Sequence, residues 1–217
     1  NELIPSSALA ISGTPSRIAS TKFCVMPACC GPLPGGTGIS IGDTAGYYMR
    51  GVYLDACRAI DVLRLNDRLD CSAIGFIGKG LGGAAAVFAA AHSSRPTALV
   101  LDTPSFAYLP ESQNVSTGEA TAEINEYLSL QRTKKKIIKK NLSYFDSINF
   151  ADRISGPALF TVGFKDTISP PQCVFALFNH LKCEKTIEVY PDDGNEAGGA
   201  AQFEKSVRWL MEFFNGL

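Results

Sequence analysis

Apolar and polar positions follow two rhythms along the chain. Apolar residues recur every three or four positions in stretches that predict helices over 47–64, 172–181 and 199–214. Short continuous apolar runs bounded by turn residues predict strands at 72–77, 97–102, 157–163 and 186–190. A run of small residues at 84–91 predicts one more helix, able to pack closely against a sheet. Strands and helices alternate in chain order, so the pattern predicts a predominantly parallel α/β sheet flanked by helices.

The helical spacing also predicts which side chains face the core. In the first helix these are Tyr48, Val52, Ala56, Ala59 and Leu63; in 172–181 they are Val174, Leu177, Phe178 and Leu181; in the last helix they are Phe203, Val207, Leu210, Met211 and Phe214.

Two stretches depart from this rhythm. Residues 1–46 hold seven glycines and five prolines but only four charged residues, which is typical of loop, with one short predicted strand at 22–26. The regular domain is therefore expected to span 47–217. Residues 111–141 form a polar, helix-prone insertion that ends in a lysine-rich run. Because glutamates lie just upstream, we interpret this run as a solvated helix face.

Composition narrows the classes of function. A chain of 217 residues with a net charge of −1 fits one domain and argues against a nucleic-acid partner. No apolar run approaches the roughly 18 residues of a membrane span, so no membrane partner is expected. The seven cysteines form no CxxC pair and have no histidine at zinc-ligand spacing, so we expect no metal and a reduced, cytoplasmic setting. Any imidazole must come from His92 or His180, the two histidines of the chain.

The glycine-rich turn Gly78-Lys-Gly-Leu-Gly-Gly83 follows a predicted strand and opens a predicted helix, and two interpretations fit it. It matches G-x-G-x-x-G, and Asp102 ends the next strand where a dinucleotide site holds an acid for the ribose. It also matches the frame of a nucleophile elbow, G-x-S-x-G, with Gly80 in the place of the serine. A glycine suits the positive φ of such a turn but offers no nucleophile.

The surrounding segments carry a resemblance. They are Tyr47-Tyr-Met-Arg-Gly-Val-Tyr-Leu-Asp-Ala-Cys-Arg-Ala59, Leu142-Ser-Tyr-Phe-Asp146, Asn149-Phe-Ala-Asp-Arg153, Gly163-Phe-Lys-Asp166, Pro170-Pro171 and Val174-Phe-Ala-Leu-Phe-Asn-His-Leu181. In order and spacing they resemble the acetyl xylan esterase and cephalosporin-C deacetylase family of α/β-hydrolases, from about Tyr47 onward. The resemblance implies an α/β-hydrolase fold without a cofactor. It also implies further strands and an oxyanion-hole residue before 22–26, so the chain is expected to lack the family's first strands.

The resemblance assigns the site residue by residue. The nucleophile position falls on Gly80, the oxyanion-hole N–H on Leu81, the triad acid on Asp166 and the histidine position on Asn195. Glycine and asparagine cannot perform the serine and histidine chemistry, so we expect a carbohydrate-esterase homologue without catalytic activity. An acetylated saccharide is the ligand that the resemblance implies. A homo-oligomer or association with an active homologue is the expected assembly.

Two alternatives stay open at this stage. One is a dinucleotide-binding module that uses Gly78–Gly83. The other is an ester hydrolase that uses different residues, for which Cys29, Cys30, Lys79, His92 and His180 are the candidates. We expect structural or solvent-exposed roles for these five.

Overall fold

The structure is a computed structural model that describes residues 38, 40–67, 69–94 and 96–216. The predicted strand at 22–26 and the paired cysteines Cys29 and Cys30 lie outside these residues. In chain order the elements are α1 (Tyr48–Arg64), β1 (Ile74–Lys79), α2 (Leu81–Ala91), β2 (Thr97–Asp102), α3 (Leu109–Val115), α4 (Glu119–Leu130), a 3₁₀ turn (Arg132–Lys134), α5 (Lys135–Ser143), α6 (Ile148–Ala151), β3 (Ala158–Gly163), α7 (Pro171–His180), β4 (Lys185–Tyr190) and α8 (Gly199–Asn215).

The four described strands form one parallel sheet in the order β1-β2-β3-β4. The predicted parallel α/β sheet is therefore confirmed, and each strand boundary lies within two residues of its prediction. In β1, β2 and β3 the first five residues are all buried, as expected for strands covered on both faces, whereas β4 is half-exposed. The connections carry the helices over the two faces of the sheet.

Two apolar layers cover the sheet. On one face α1, α2, α7 and the insertion helices build the larger cluster, whose biggest fully buried side chains include Tyr53, Phe76, Phe160 and Leu177. On the other face Leu210 and Phe214 of α8 pack against β1, β2 and β3. The insertion at 111–141 is part of the core, since Ile124 of α4 is 1% exposed and Ile138 of α5 is 0% exposed.

The predicted inner faces of two helices are wrong in part. The buried residues of α1 are Met49, Tyr53, Ala56 and Ile60, of which Ala56 was expected; the predicted Tyr48, Val52 and Leu63 are partly buried and pack against the core. Those of α8 are Gln202, Ser206, Leu210 and Phe214, while the predicted Phe203 and Met211 are about half-exposed. The reason in α8 is a hydrogen-bonded chain: the Tyr190 hydroxyl donates to Gln202 Oε1, and Gln202 Nε2 donates to Ser206 Oγ. Because their polar atoms are hydrogen-bonded in this way, Gln202 and Ser206 can lie on the buried face of α8.

Within the described ranges, no helix is both long and apolar enough to cross a membrane.

We expect truncation of Phe160 to cost far more stability than truncation of Phe164. Phe160 is 0% exposed and meets the Phe178 ring edge-on at 5.4 Å, whereas Phe164, four residues later, is 51% exposed. Phe160→Ala should lower the free energy of unfolding by about 3–5 kcal/mol, because removal of the ring leaves a cavity that the sheet and helices around it cannot close. The matched control Phe164→Ala should cost less than about 1 kcal/mol. Urea unfolding of both variants measures the difference; equal losses would contradict the described core.

Candidate functional site

The turn between β1 and α2 has the backbone of a sharp strand-to-helix elbow. Gly80, the residue between the two elements, has φ 53° and ψ −124°, a conformation that costs an L-residue about 1–3 kcal/mol but is open to glycine. Its carbonyl accepts hydrogen bonds from the N–H groups of Gly83 and Ser105, and its own N–H donates to the Asp102 carbonyl at 3.1 Å. The turn is therefore fixed from both sides at the carboxyl edge of the sheet.

The glycines of this turn serve different purposes. A Cβ on Gly78 would lie 2.4 Å from the Gly82 carbonyl oxygen, and one on Gly83 would lie 2.8 Å from Pro104 Cβ. A Cβ on Gly80 would meet nothing closer than Ser105 Oγ at 3.9 Å. Gly78 and Gly83 therefore permit close packing of the chain against itself, whereas position 80 has room for a side chain.

Asp102, the acid that a dinucleotide site would need, is already engaged. One carboxylate oxygen lies 3.2 Å from Lys79 Nζ, and the other accepts a hydrogen bond from the Thr161 hydroxyl. Together with the packing roles of Gly78 and Gly83, this arrangement favours the elbow interpretation over a pyrophosphate loop.

Asp166 and Asn195 meet beside the elbow, although 29 residues separate them. Asp166 follows β3 and Asn195 follows β4, and the carboxyl ends of parallel strands share one edge of a sheet. Asn195 Nδ2 donates to Asp166 Oδ2 at 2.9 Å, while Asp166 Oδ1 accepts from the N–H groups of Ile168 and Ser169 at 2.8 and 2.9 Å. Asp166 is 4% exposed, so these three bonds stabilise a buried carboxylate.

Asn195 also contacts the end of β2. Its Nδ2 lies 3.3 Å from Thr103 Oγ1, and the Thr103 N–H donates to Thr161 Oγ1 at 3.2 Å. Thr161 in turn donates to Asp102, the partner of Lys79. A polar network thus runs along the sheet edge from Asp166 to the elbow.

A cavity of about 420 Å³ opens at this edge. The elbow supplies one side of it through Lys79, Gly80 and Leu81, and Asn195 lies on its wall. Leu81 is the first residue of α2, so its N–H has no acceptor within the helix. The remaining lining consists mainly of apolar and hydroxyl side chains, among them Ser105, Phe106, Thr117 and Ile168, together with Cys173 and one acidic residue, Glu119.

The insertion holds one wall of the cavity against the loop that carries Asp166. The Thr117 N–H donates to the Thr167 carbonyl at 2.8 Å, and the hydroxyl groups of these two threonines lie 2.9 Å apart. Ser116 Oγ donates to the Ile168 carbonyl at 2.7 Å. The sequence gives no sign of this contact, because it joins two loops about 50 residues apart.

The alternative candidates are not gathered at the cavity. His92 directly follows α2 and His180 ends α7; each Nδ1 lies within 2.8 Å of a carbonyl oxygen of the adjoining helix, that of Phe88 and that of Ala176 respectively. Neither histidine lines the cavity. Lys79 lines the cavity and pairs with Asp102.

The cavity also contains a cysteine, Cys173. Burial, with a smaller effect of Glu111, raises the pKa of the Cys173 thiol to about 11, so this thiol is protonated at neutral pH.

Comparison with known proteins decides the family. The family model for acetyl xylan esterase (AXE1) matches residues 37–213, most of the chain. The chain belongs to the acetyl xylan esterase family. Two solved members are similar to it: the acetyl xylan esterase from Paenibacillus sp. R4, at 31% identity and a TM-score of 0.77 over 84% of this chain, and acetyl xylan esterase 1 from Thermoanaerobacterium sp. JW/SL YS485, at 26% identity and a TM-score of 0.70 over 78%. The α/β-hydrolase fold is thereby confirmed.

The chain spans only part of these relatives. It covers 58% of the Paenibacillus esterase and 55% of the Thermoanaerobacterium esterase. The acetyl esterase Axe7A of Xylanibacter ruminicola is 27% identical over 154 residues, which is 70% of this chain and 34% of that protein. Activity and partners of a whole esterase therefore do not transfer to this chain by similarity alone.

We predict that the Asp166 and Asn195 side chains depend on each other. Asp166→Asn should lower the free energy of unfolding by about 1–3 kcal/mol, because a neutral amide accepts more weakly than the carboxylate, and because Asn195 must turn its own amide oxygen toward the new NH₂ group and give up its donation to Thr103 Oγ1. In the exchanged variant Asp166→Asn/Asn195→Asp, the amide donates to the carboxylate again, and much of the loss should be recovered. Chemical denaturation of the two single variants and the double variant gives the coupling energy. A double variant no more stable than the sum of the singles would contradict the contact.

Proposed function

We propose that this chain is an acetyl xylan esterase homologue that has lost ester hydrolysis and keeps the acyl-binding cleft. The observation that carries the proposal is the pairing of Asn195 with Asp166 beside Gly80. In an active hydrolase a histidine occupies the place between the acid and a serine at the elbow. In this chain the Asn195 amide is the hydrogen-bond partner of Asp166, and the elbow residue, Gly80, has no side chain.

The chemistry of the two substitutions explains the expected loss. Glycine offers no oxygen to form an acyl-enzyme, and the asparagine amide neither accepts a proton at neutral pH nor relays one. Loss of a triad serine or histidine reduces turnover by about a millionfold, and loss of the second adds little because the members act as a unit.

The remaining cleft has features suited to holding an intact ester. The Leu81 N–H can donate to a carbonyl oxygen, and the hydroxyl groups of the lining can form hydrogen bonds with a polyol. We therefore propose an acetylated saccharide as the ligand. Its role would be in binding or assembly, as a homo-oligomer or beside an active homologue.

One observation favours a second candidate function, an active hydrolase with a displaced nucleophile. The Ser105 hydroxyl lies 3.9 Å from the place where a Cβ of residue 80 would stand, and Ser105 lines the cavity. No histidine lies at the cavity to activate it, which is why we rank this candidate second.

The first test compares p-nitrophenyl acetate hydrolysis by the natural chain and by Asp166→Ala. We expect both to show the same low background rate, because no acid–base relay operates through Asp166. A fluorophosphonate probe should leave the natural chain unlabelled. Turnover that Asp166→Ala abolishes would contradict the proposal, and a probe adduct located on Ser105 by peptide mass spectrometry would favour the second candidate.

The second test restores the triad. Gly80→Ser/Asn195→His should acquire fluorophosphonate labelling at position 80, because the elbow has space for the side chain and Asp166 is already placed to orient the imidazole. Each single variant should remain unlabelled or be labelled far more slowly. Asp166→Ala added to the double variant is the matched control and should remove most of the gain. If the double variant folds by circular dichroism and stays unlabelled, the assignment of these three positions is wrong.

A further inference from the structure

A dense group of cations lies on the insertion, away from the residues of the cavity. We call it the basic face; it consists of Arg132, Lys134, Lys135, Lys136, Lys139 and Lys140, in the 3₁₀ turn and α5. All six residues are exposed. The chain as a whole has a net charge of −1, so this short stretch concentrates positive charge that acidic residues balance elsewhere.

Among the described residues, ion pairs do not neutralise the basic face. Those found there join Arg58 to Asp55, Arg64 to Asp61, Lys79 to Asp102 and Lys165 to Asp192, and none includes a residue of the basic face. This agrees with the predicted solvated helix face, and it leaves the charge of the basic face open to an external anion.

Apolar side chains lie among these cations on the solvent side of α5. Ile137 and Tyr144 are each 56% exposed, and together with Lys140 they stand three and four positions apart, so the three share one side of the helix. Ile138 and Leu142, on the opposite side, are at most 1% exposed and attach α5 to the core. The exposed side is therefore a mixed surface of lysine and apolar groups on a firmly anchored helix.

The absence of a spanning apolar run led us to expect no membrane partner, but that ground does not bear on attachment at the membrane surface. We propose that the basic face docks this protein on an anionic lipid surface. The cations would lie at the lipid phosphate and carboxylate groups, and Ile137 and Tyr144 would enter the interfacial layer. A nucleic acid also presents phosphate groups, but it has no apolar layer that an exposed isoleucine could enter. The mixture of lysine and apolar side chains therefore favours a membrane over a nucleic acid. Docking requires no unfolding, because the buried side of α5 stays in the core. The attachment is peripheral and independent of the catalytic state of the cavity.

The strength of such docking follows from the charge. A lysine near an anionic leaflet strengthens membrane partitioning about fivefold, and the effect fades beyond the Debye length of roughly 8 Å at physiological salt. Binding should therefore fall steeply as salt rises, and a residual salt-resistant part should depend on the two apolar side chains.

Co-sedimentation with sucrose-loaded vesicles tests the proposal with the full chain. We expect binding to phosphatidylcholine vesicles that contain phosphatidylserine and no binding to pure phosphatidylcholine. Lys136→Gln/Lys140→Gln should weaken the partition coefficient about 30-fold, the product of two such lysine effects. The matched control Lys182→Gln/Lys205→Gln removes the same charge from exposed positions outside the basic face and should leave binding within about twofold. Ile137→Ser/Tyr144→Ser should remove the salt-resistant part.

Three outcomes would overturn the proposal. The first is absence of binding to phosphatidylserine vesicles at low salt by a chain that is folded by circular dichroism. The second is an equal loss in the control pair, which would mean that net charge alone governs binding. The third is tight binding to a duplex oligonucleotide without vesicle binding, which would make the basic face a nucleic-acid surface.

Discussion

The close approach between β1 and α2 is the constraint on which the rest of the site depends. The chain turns from strand to helix through one residue, and the turn is so tight that Gly78 has no room for a Cβ against the Gly82 carbonyl. This packing fixes the first turn of α2 at the carboxyl edge of the sheet. Because β2, β3 and β4 run parallel to β1, the loops that carry Thr103, Asp166 and Asn195 open at the same edge.

The same constraint explains how the site would keep its shape under the proposed loss of chemistry. In a nucleophile elbow the strained φ is borne by the serine, and glycine adopts that φ without strain and at no cost in packing. Asn195 donates to the buried Asp166, so the carboxylate has three hydrogen bonds. Under the proposal, Gly80 and Asn195 stand where groups that attack or transfer protons would be, and both satisfy the local requirements of the fold.

The sequence predicted the elements better than it predicted their faces. Continuous apolar runs located β1, β2 and β3, because a strand that is buried on both faces carries almost no polar residues. In α8 the pattern failed, since hydropathy alone favours Phe203 over Gln202 and cannot anticipate the hydroxyl of Tyr190 beneath the helix. Asp166 and Asn195 were placed by resemblance, but their contact, the bonds of Ser116 and Thr117 to the next loop, and the Asp102–Lys79 pair all join distant segments. Such contacts depend on strand order and loop geometry, which local periodicity does not encode.

The proposed loss of activity would follow a single physical distinction between the positions. A serine at position 80 would need a positive φ in a residue with a Cβ, whereas Gly80 adopts that φ without strain. Asp166 has a structural role as well, because its oxygens accept the N–H groups of Ile168 and Ser169 and thereby shape the loop before α7. If turnover were no longer required, stability alone would favour glycine at position 80 and would retain Asp166, since removal of its carboxylate leaves buried donors without acceptors. Retention of the acid is therefore no sign of catalysis.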